Sequence, residues 1–220
     1  MRILRIIISL IFFPAALLLP AGRIDWWEGW AFLIVFVSAA LLLRAWMARR
    51  HPGLLKERSH HEEDVEKWDT ILMWIYSCLL LAVFVVSALD SGRFGWSFMP
   101  MGIRIIGWIG LGAALAIVWW VMSVNPFASR WVRIQDDRGH EVITGGPYGY
   151  VRHPMYVGTI ISMISIPIVL GSLWGLLPGA LAALLFIFRT ALEDKTLRIK
   201  LPGYGDYAGR VRYRLLPGIW

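Results

Sequence analysis

Residues 103–124 read IRIIGWIGLGAALAIVWWVMSV, an apolar run whose single charge, Arg104, stands at one end. About 20 predominantly apolar residues are enough for a helix to cross the hydrocarbon core of a bilayer. Three earlier segments qualify as well: Ile3–Ala21, Trp26–Leu43 and Trp68–Leu89. Two shorter ones, Tyr156–Leu170 and Leu173–Phe188, follow, joined by the turn signal Gly171-Ser172. At about 1.5 Å per residue each of these is roughly 23 Å long, and together they predict a tight helical hairpin. The predicted fold class is all-α, a polytopic integral membrane protein with four spanning helices and a C-terminal helical hairpin.

Composition agrees. The chain of 220 residues is 58% hydrophobic and only 17% charged, with a mean hydropathy of +0.60. Soluble domains carry about 45–50% apolar and roughly 25% charged residues. Thirteen tryptophans suit a chain whose indoles sit at headgroup level, and Trp26, Trp27, Trp30, Trp119 and Trp120 are expected interfacial anchors. The single cysteine, Cys78, excludes an internal disulfide and a Cys-rich zinc site. Arg2, Arg5 and the apolar stretch after them imitate a signal peptide. More spanning segments follow at once and Pro20-Ala21-Gly22 is a weak cleavage signal, so this stretch reads as a retained first helix.

Charge predicts orientation. If the N-terminus is cytoplasmic and all six segments cross, 19 of the 22 Lys and Arg fall on the cytoplasmic side, with only Arg23, Arg93 and Arg104 opposite. That is a strong positive-inside bias. The expected location is a bacterial inner membrane with both termini cytoplasmic. The net charge of +7 is then explained by topology and anionic lipid, and no basic stripe remains to suggest nucleic acid.

Three stretches are not expected to span: a charged loop Arg49–Lys67, a connector Asn125–Arg152, and a basic, partly helical tail Arg189–Trp220. The chain reads as one membrane domain over residues 1–220, with spanning helices in 1–124 and the chemistry in 125–220. Within the loop, His51-Pro52-Gly53 reads as a helix stop. His60-His61-Glu62-Glu63 is not read as a metal site, because adjacent histidines point in different directions on a helix and no further cluster supports them. No metal is expected.

The connector ends in Gly146-Pro147-Tyr148-Gly149-Tyr150-Val151-Arg152-His153-Pro154-Met155-Tyr156-Val157-Gly158. Glycine and proline break helix and let the backbone approach a ligand. Proline suits the first helical turn, where its missing N–H would be unpaired anyway. Pro154 is therefore expected to open a helix, with Arg152 and His153 just before it. Polar groups at the mouth of a membrane helix are costly and usually serve a purpose. After the hairpin, Arg189 and Glu193 stand four apart and share a helix face, which also describes a plain surface ion pair. Asp194, Lys195 and Arg198 read as a solvated face, and Tyr204, Tyr207 and Tyr213 as amphipathic packing against the bilayer, with closure over a cofactor as the alternative.

Gly146-Pro147-Tyr148 followed by Arg152-His153-Pro154-x-Tyr156-x-Gly158 resembles the isoprenylcysteine carboxyl methyltransferase family, which is related to phospholipid N-methyltransferases. The resemblance continues through Arg189-x-x-x-Glu193-Asp194, Gly203-Tyr204-x-x-Tyr207-x-x-x-Val211 and Leu216-Pro217. It covers about Asn125 to the C-terminus. It implies methyl transfer from S-adenosyl-L-methionine in a cytoplasmic cofactor-binding region, without the Gly-rich dinucleotide fold. Carried over by motif, it implies cofactor contacts at Gln135, His140, Glu141, Val142, Ile143, Tyr148, His153, Pro154, Met155, Tyr156 and Glu193. Arg189 is implied to approach the substrate, and Arg152 stands beside it as a catalytic candidate.

On this reading the sulfonium methyl is already activated, and the protein must align donor and acceptor and exclude water. A carboxylate acceptor would need no base, and Arg189 could orient it by paired hydrogen bonds. The acceptor is expected to be a lipophilic small molecule or lipid-linked group entering from the membrane lipid. Three alternatives stay open: a phospholipid amine N-methyltransferase, which needs a base such as His153 or Glu193; an NADPH-dependent sterol-type membrane reductase; and a non-enzymatic membrane factor.

Overall fold

A computed structural model describes the backbone of residues 2–59 and 65–220, and side chains within 12–58 and 65–220. The His60-His61-Glu62-Glu63 run lies outside the described residues. Among the described residues there is no strand. The α-helices are α1 Arg2–Ala21, α2 Trp27–Arg50, α3 Pro52–Ser59, α4 Lys67–Ser87, α5 Met101–Val124, α6 Pro154–Leu170, α7 Leu176–Lys200 and α8 Tyr204–Arg210. A π-helical turn, Ala88–Phe94, extends α4. Among the described residues, four helices are long and apolar enough to cross a membrane: Trp27–Arg50, Lys67–Phe94, Met101–Val124 and Leu176–Lys200. Pro154–Leu170 is a shorter apolar helix. The protein is thus an all-helical polytopic membrane protein.

Two expectations are corrected. The loop Arg49–Lys67 is partly helical: α2 runs to Arg50 and Pro52 opens α3. The hairpin's second helix begins at Leu176 rather than Leu173 and continues past Phe188 to Lys200. At its start, the Asp90 carboxylate takes the Ser172 hydroxyl (2.6 Å) and the Trp174 N–H (3.2 Å), which holds residues 172–174 in a turn. At its end, Arg189 and Asp194 each find a buried partner, and no glycine or proline interrupts until Pro202-Gly203.

The chain forms two compact units. The first comprises residues up to Leu42, Tyr76–Gly112 and Ile161–Ala183. Its core is aromatic, with Phe32 stacked on Phe36 and both Phe13 and Phe32 against Phe84. Trp26, expected as an interfacial anchor, is instead buried here against Gly29 and Gly92, whereas Trp27 and Trp30 are exposed. The Asp90 carboxylate also accepts from the backbone N–H and hydroxyl of Ser97, at 2.8 and 2.6 Å. Among the described residues it meets no cation; four neutral donors satisfy its oxygens, as burial of a polar group requires.

The second unit comprises Leu43–Ile75, Ala113–Ile160 and Leu184–Trp220. Met47, Leu54, Val121, Met122 and Ala128 form one buried cluster, and Leu201, Tyr204, Tyr207 and Ala208 form another. The connector 125–153 is irregular apart from two 3-10 turns, Asp136–Arg138 and Gly146–Gly149.

Helix packing in the first unit rests on missing side chains. A Cβ on Gly179 of α7 would lie 2.4 Å from the Met163 carbonyl oxygen of α6, whereas one on Gly112 would meet nothing within 4 Å. A backbone atom cannot yield as a side chain can. Gly179→Ala should cost roughly 1–3 kcal/mol, while Gly112→Ala should be neutral or slightly stabilising. Thermal unfolding of the two variants in detergent checks the contrast.

Candidate functional site

The connector carries its own supports. Asn125 accepts the Phe127 N–H (2.8 Å) and donates to the Tyr148 hydroxyl (2.6 Å), which ties the two ends of the connector together. Gln135 is fully buried; its amide donates to the Phe127 carbonyl (2.8 Å) and accepts from Arg138. Arg133 is held by Glu57 of α3 through two hydrogen bonds of 2.8 and 3.0 Å. Gly146 adopts φ +59°, and a Cβ there would press on Val124 and the Trp120 indole at 3.1–3.3 Å. Glycine is needed at that turn for conformation and for space.

Pro154 opens α6, as its missing N–H predicts. The two residues before it are pinned by the tail: Arg152 N–H donates to Tyr213 O (2.9 Å) and His153 N–H to Arg214 O (3.0 Å). The Arg152 guanidinium is buried against Asp194 (2.7 Å) and also donates to the carbonyls of Val211 and Arg212. Asp194, expected on a solvated face, is 1% exposed. It gathers Arg152, Arg198, Arg214, the Tyr204 hydroxyl (2.9 Å) and His153 Nε2 (3.5 Å). A carboxylate buried in apolar surroundings requires such company.

Tyr156, in the first turn of α6, donates its hydroxyl to Glu193 of α7 and stacks beside His153, whose Nδ1 lies 3.9 Å from the same carboxylate. Arg189 and Glu193 therefore do not form the plain surface pair; each takes a different partner. Arg189 is buried and bonds Asp69 of α4 through Nε (2.6 Å) and Nη2 (3.0 Å). Its guanidinium sits 4.9 Å from the Tyr156 ring centroid.

These groups surround one pocket with about 800 Å³ of free space, its open mouth included. Its wall includes Gln135, His140, Glu141, Val142, Ile143, Tyr148, His153, Pro154, Met155, Tyr156 and Glu193, every residue singled out for the cofactor. Arg152 lines it too; Arg189 does not, and reaches it only through Tyr156.

Tyr204 and Tyr207 also line the pocket and are buried, so they are not bilayer packing; only Tyr213 is exposed. Tyr207 donates to the Tyr148 carbonyl (2.8 Å), closing α8 over the connector. Phe127, Trp131 and Leu197 belong to the wall and were not anticipated. Their signal, an aromatic or leucine near a turn, is common to many sites that bind nothing. Burial raises the phenols of Tyr148, Tyr204 and Tyr207 well above their ordinary value, so all three remain protonated.

Residues 103–200 match a family model described as phospholipid methyltransferase. The matched span runs from α5 through the connector and hairpin to the end of α7, which is less than half of the chain. It takes in the pocket wall from Asn125 to Leu197 but neither α8 nor Asp69. The matching family and the one suggested by the motifs are related groups of membrane methyltransferases. No curated protein matches the chain.

Two outcomes test this architecture. Asp194→Asn strands Arg152 without its charge partner and should cost roughly 3–5 kcal/mol, read as a lower melting temperature and earlier tryptic cleavage of the tail. His140 offers a pH test. Burial lowers its pKa, with Arg133 and Arg138 adding to the effect and Asp136 opposing it. Its Nδ1 accepts the Gln135 N–H at 3.3 Å, which requires the neutral ring. A folded value below the unfolded 6.5 means stability is present above that pH and is lost as pH falls through it. Melting temperature measured between about pH 8 and pH 5 should fall more steeply in the parent than in His140→Gln.

Proposed function

We propose that this protein is an S-adenosyl-L-methionine-dependent methyltransferase acting on a lipophilic acceptor at the cytoplasmic face of the membrane. One observation carries the reading. Three sequence-distant segments, 135–148, 153–156 and Glu193, were picked out by motif, and all of their chosen residues line a single pocket. The match of residues 103–200 to phospholipid methyltransferases supports it.

The residues present fit the cofactor's chemistry. Glu193 offers a carboxylate to an ammonium or a ribose hydroxyl. Trp131, Tyr148 and His140 offer ring faces to a purine, and Met155 offers a soft apolar surface. When bound, the cofactor supplies an activated methyl group, so the chain's task is orientation and exclusion of water. Tyr207 and Tyr204 close the pocket from the α8 side. Tyr156 holds Glu193 by its hydroxyl and spaces Arg189 from the pocket by its ring.

For the acceptor, a phospholipid amine is the reading we put first. Asp69 engages the Nε and Nη2 donors of Arg189 and the Arg130 carbonyl takes the second Nη2 hydrogen, which leaves no free guanidinium edge for paired bonds to a carboxylate. Glu193 and His153 stand together where a base would serve an amine. A prenylcysteine-like carboxylate is the second reading, favoured by the motif Arg189-x-x-x-Glu193-Asp194.

Equilibrium binding of labelled S-adenosyl-L-methionine to purified protein, with NADPH alongside, tests the class. Glu193→Ala should weaken cofactor binding roughly 10- to 100-fold. Undiminished binding would remove Glu193 from the pocket, and binding of NADPH alone would overturn the methyltransferase reading. Transfer of labelled methyl into lipid extracts identifies the acceptor. A rate climbing about tenfold per pH unit below the acceptor's pKa marks an amine, and a flat profile marks a carboxylate.

A further inference from the structure

Among the described residues, the second unit buries three arginine–carboxylate pairs: Arg133–Glu57, Arg152–Asp194 and Arg189–Asp69. The first two hold the connector and the tail. The third joins α7, at the residue implied to approach the substrate, to the first turn of α4. Asp69 is fully buried, and its carboxylate accepts three hydrogen bonds, from Arg189 and from the connector. Oδ1 takes Arg189 Nε (2.6 Å), and Oδ2 takes Arg189 Nη2 (3.0 Å) and the backbone N–H of Val132 (2.8 Å). Val132 is pocket wall. Arg189 Nη2 also donates to the Arg130 carbonyl (3.0 Å), so the pair grips residues 130–132 at both ends.

We propose that Asp69, which lies outside the family-matched span, is the positioning residue for Arg189: it holds the guanidinium over the ring of Tyr156, a pocket-wall residue, and so fixes that ring beside the bound molecules. This rests on the methyltransferase reading and deepens it. A guanidinium offers donors in a rigid fork, so engaging Nε and Nη2 on one carboxylate fixes the plane that lies over Tyr156. The surroundings make a carboxylate necessary. Arg58 of α3 donates to the Ala128 carbonyl (2.7 Å), two residues from Arg189's own contact with Arg130. Its pKa is pushed down to about 10 by burial and by the charges of Arg130 and Arg189. Without Asp69 the Arg189 guanidinium faces like charges and is held only by the Arg130 carbonyl and the rings of Tyr156 and Phe186 among the described residues.

Asp69→Asn separates positioning from scaffolding. An asparagine carbonyl still accepts the Val132 N–H, so the pocket wall should stand, whereas the charge opposite Arg189 is gone. The expected result is a cofactor dissociation constant within about threefold of the parent and a kcat roughly 10- to 100-fold lower, with Asp69→Glu recovering part of it. Arg189→Gln and the double variant Asp69→Asn/Arg189→Gln complete a cycle. If Asp69 acts through Arg189, the double variant transfers methyl no more slowly than Arg189→Gln alone. The double variant pairs two neutral amides, so it preserves the test if Asp69→Asn alone fails to fold.

Unchanged kcat in Asp69→Asn overturns the proposal. So does a loss of kcat that only follows loss of folded protein and cofactor affinity, or a double variant slower than Arg189→Gln by the full Asp69→Asn factor. A parent protein that binds no S-adenosyl-L-methionine and transfers no methyl group overturns the methyltransferase reading itself, and this inference with it.

Discussion

A charge buried in an apolar chain has to meet its opposite, and the second unit is organised by that requirement. Arg133, Arg152 and Arg189 are each less than a tenth exposed, and each lies against a carboxylate on a different element: Glu57 on α3, Asp194 on α7 and Asp69 on α4. A lone ion in such surroundings costs several kcal/mol or more, whereas a bidentate pair returns much of that and fixes geometry as well. The connector has little regular structure of its own. Its path is set where these pairs and the Asn125 and Gln135 side chains hold it. The pocket exists because an irregular backbone is held away from the helices rather than collapsing onto them.

That arrangement also explains why polar residues crowd one wall. Glu193 and Asp194 are neighbours on α7 yet face different company. Glu193 turns toward Tyr156, His153 and the pocket; Asp194 turns toward Arg152, Tyr204 and the tail. One carboxylate is available for chemistry because the adjacent one carries the structure. The same division separates Arg189 from Arg152, both of which were candidates on sequence grounds. Arg152 spends its guanidinium on Asp194 and two tail carbonyls, while Arg189 retains one nitrogen beyond its contacts with Asp69 and Arg130.

Much of this was legible in the chain. Apolar runs longer than a bilayer is thick mark helices, because a backbone in hydrocarbon must satisfy its own hydrogen bonds. Pro154 marked the start of α6, and the Gly145-Gly146-Pro147 break marked the turn that brings Tyr148 to the pocket. The motif residues were legible as a set. Misreadings arose where a residue's neighbours come from far away in sequence. Asp194 looked solvated because its own helix surface is charged, and nothing local reveals Arg152 or Tyr204. Trp26 looked like an interfacial anchor, since the glycines that make room for it include Gly92, distant in sequence. The length of α7 was underestimated because charge normally ends an apolar helix, and here the charges are paired.

Local sequence therefore determined the helical class, the number of apolar segments, the turn before α6 and the motif-borne part of the pocket wall, because each depends on periodicity, proline and glycine stereochemistry or a short motif. Tertiary structure alone decided which carboxylate meets which arginine, that α8 closes over the connector, and that Asp69 belongs beside Arg189. Those outcomes depend on ion pairs between residues as much as 120 positions apart. Their energy comes from burial, and burial is a property of the assembled fold rather than of any stretch of chain.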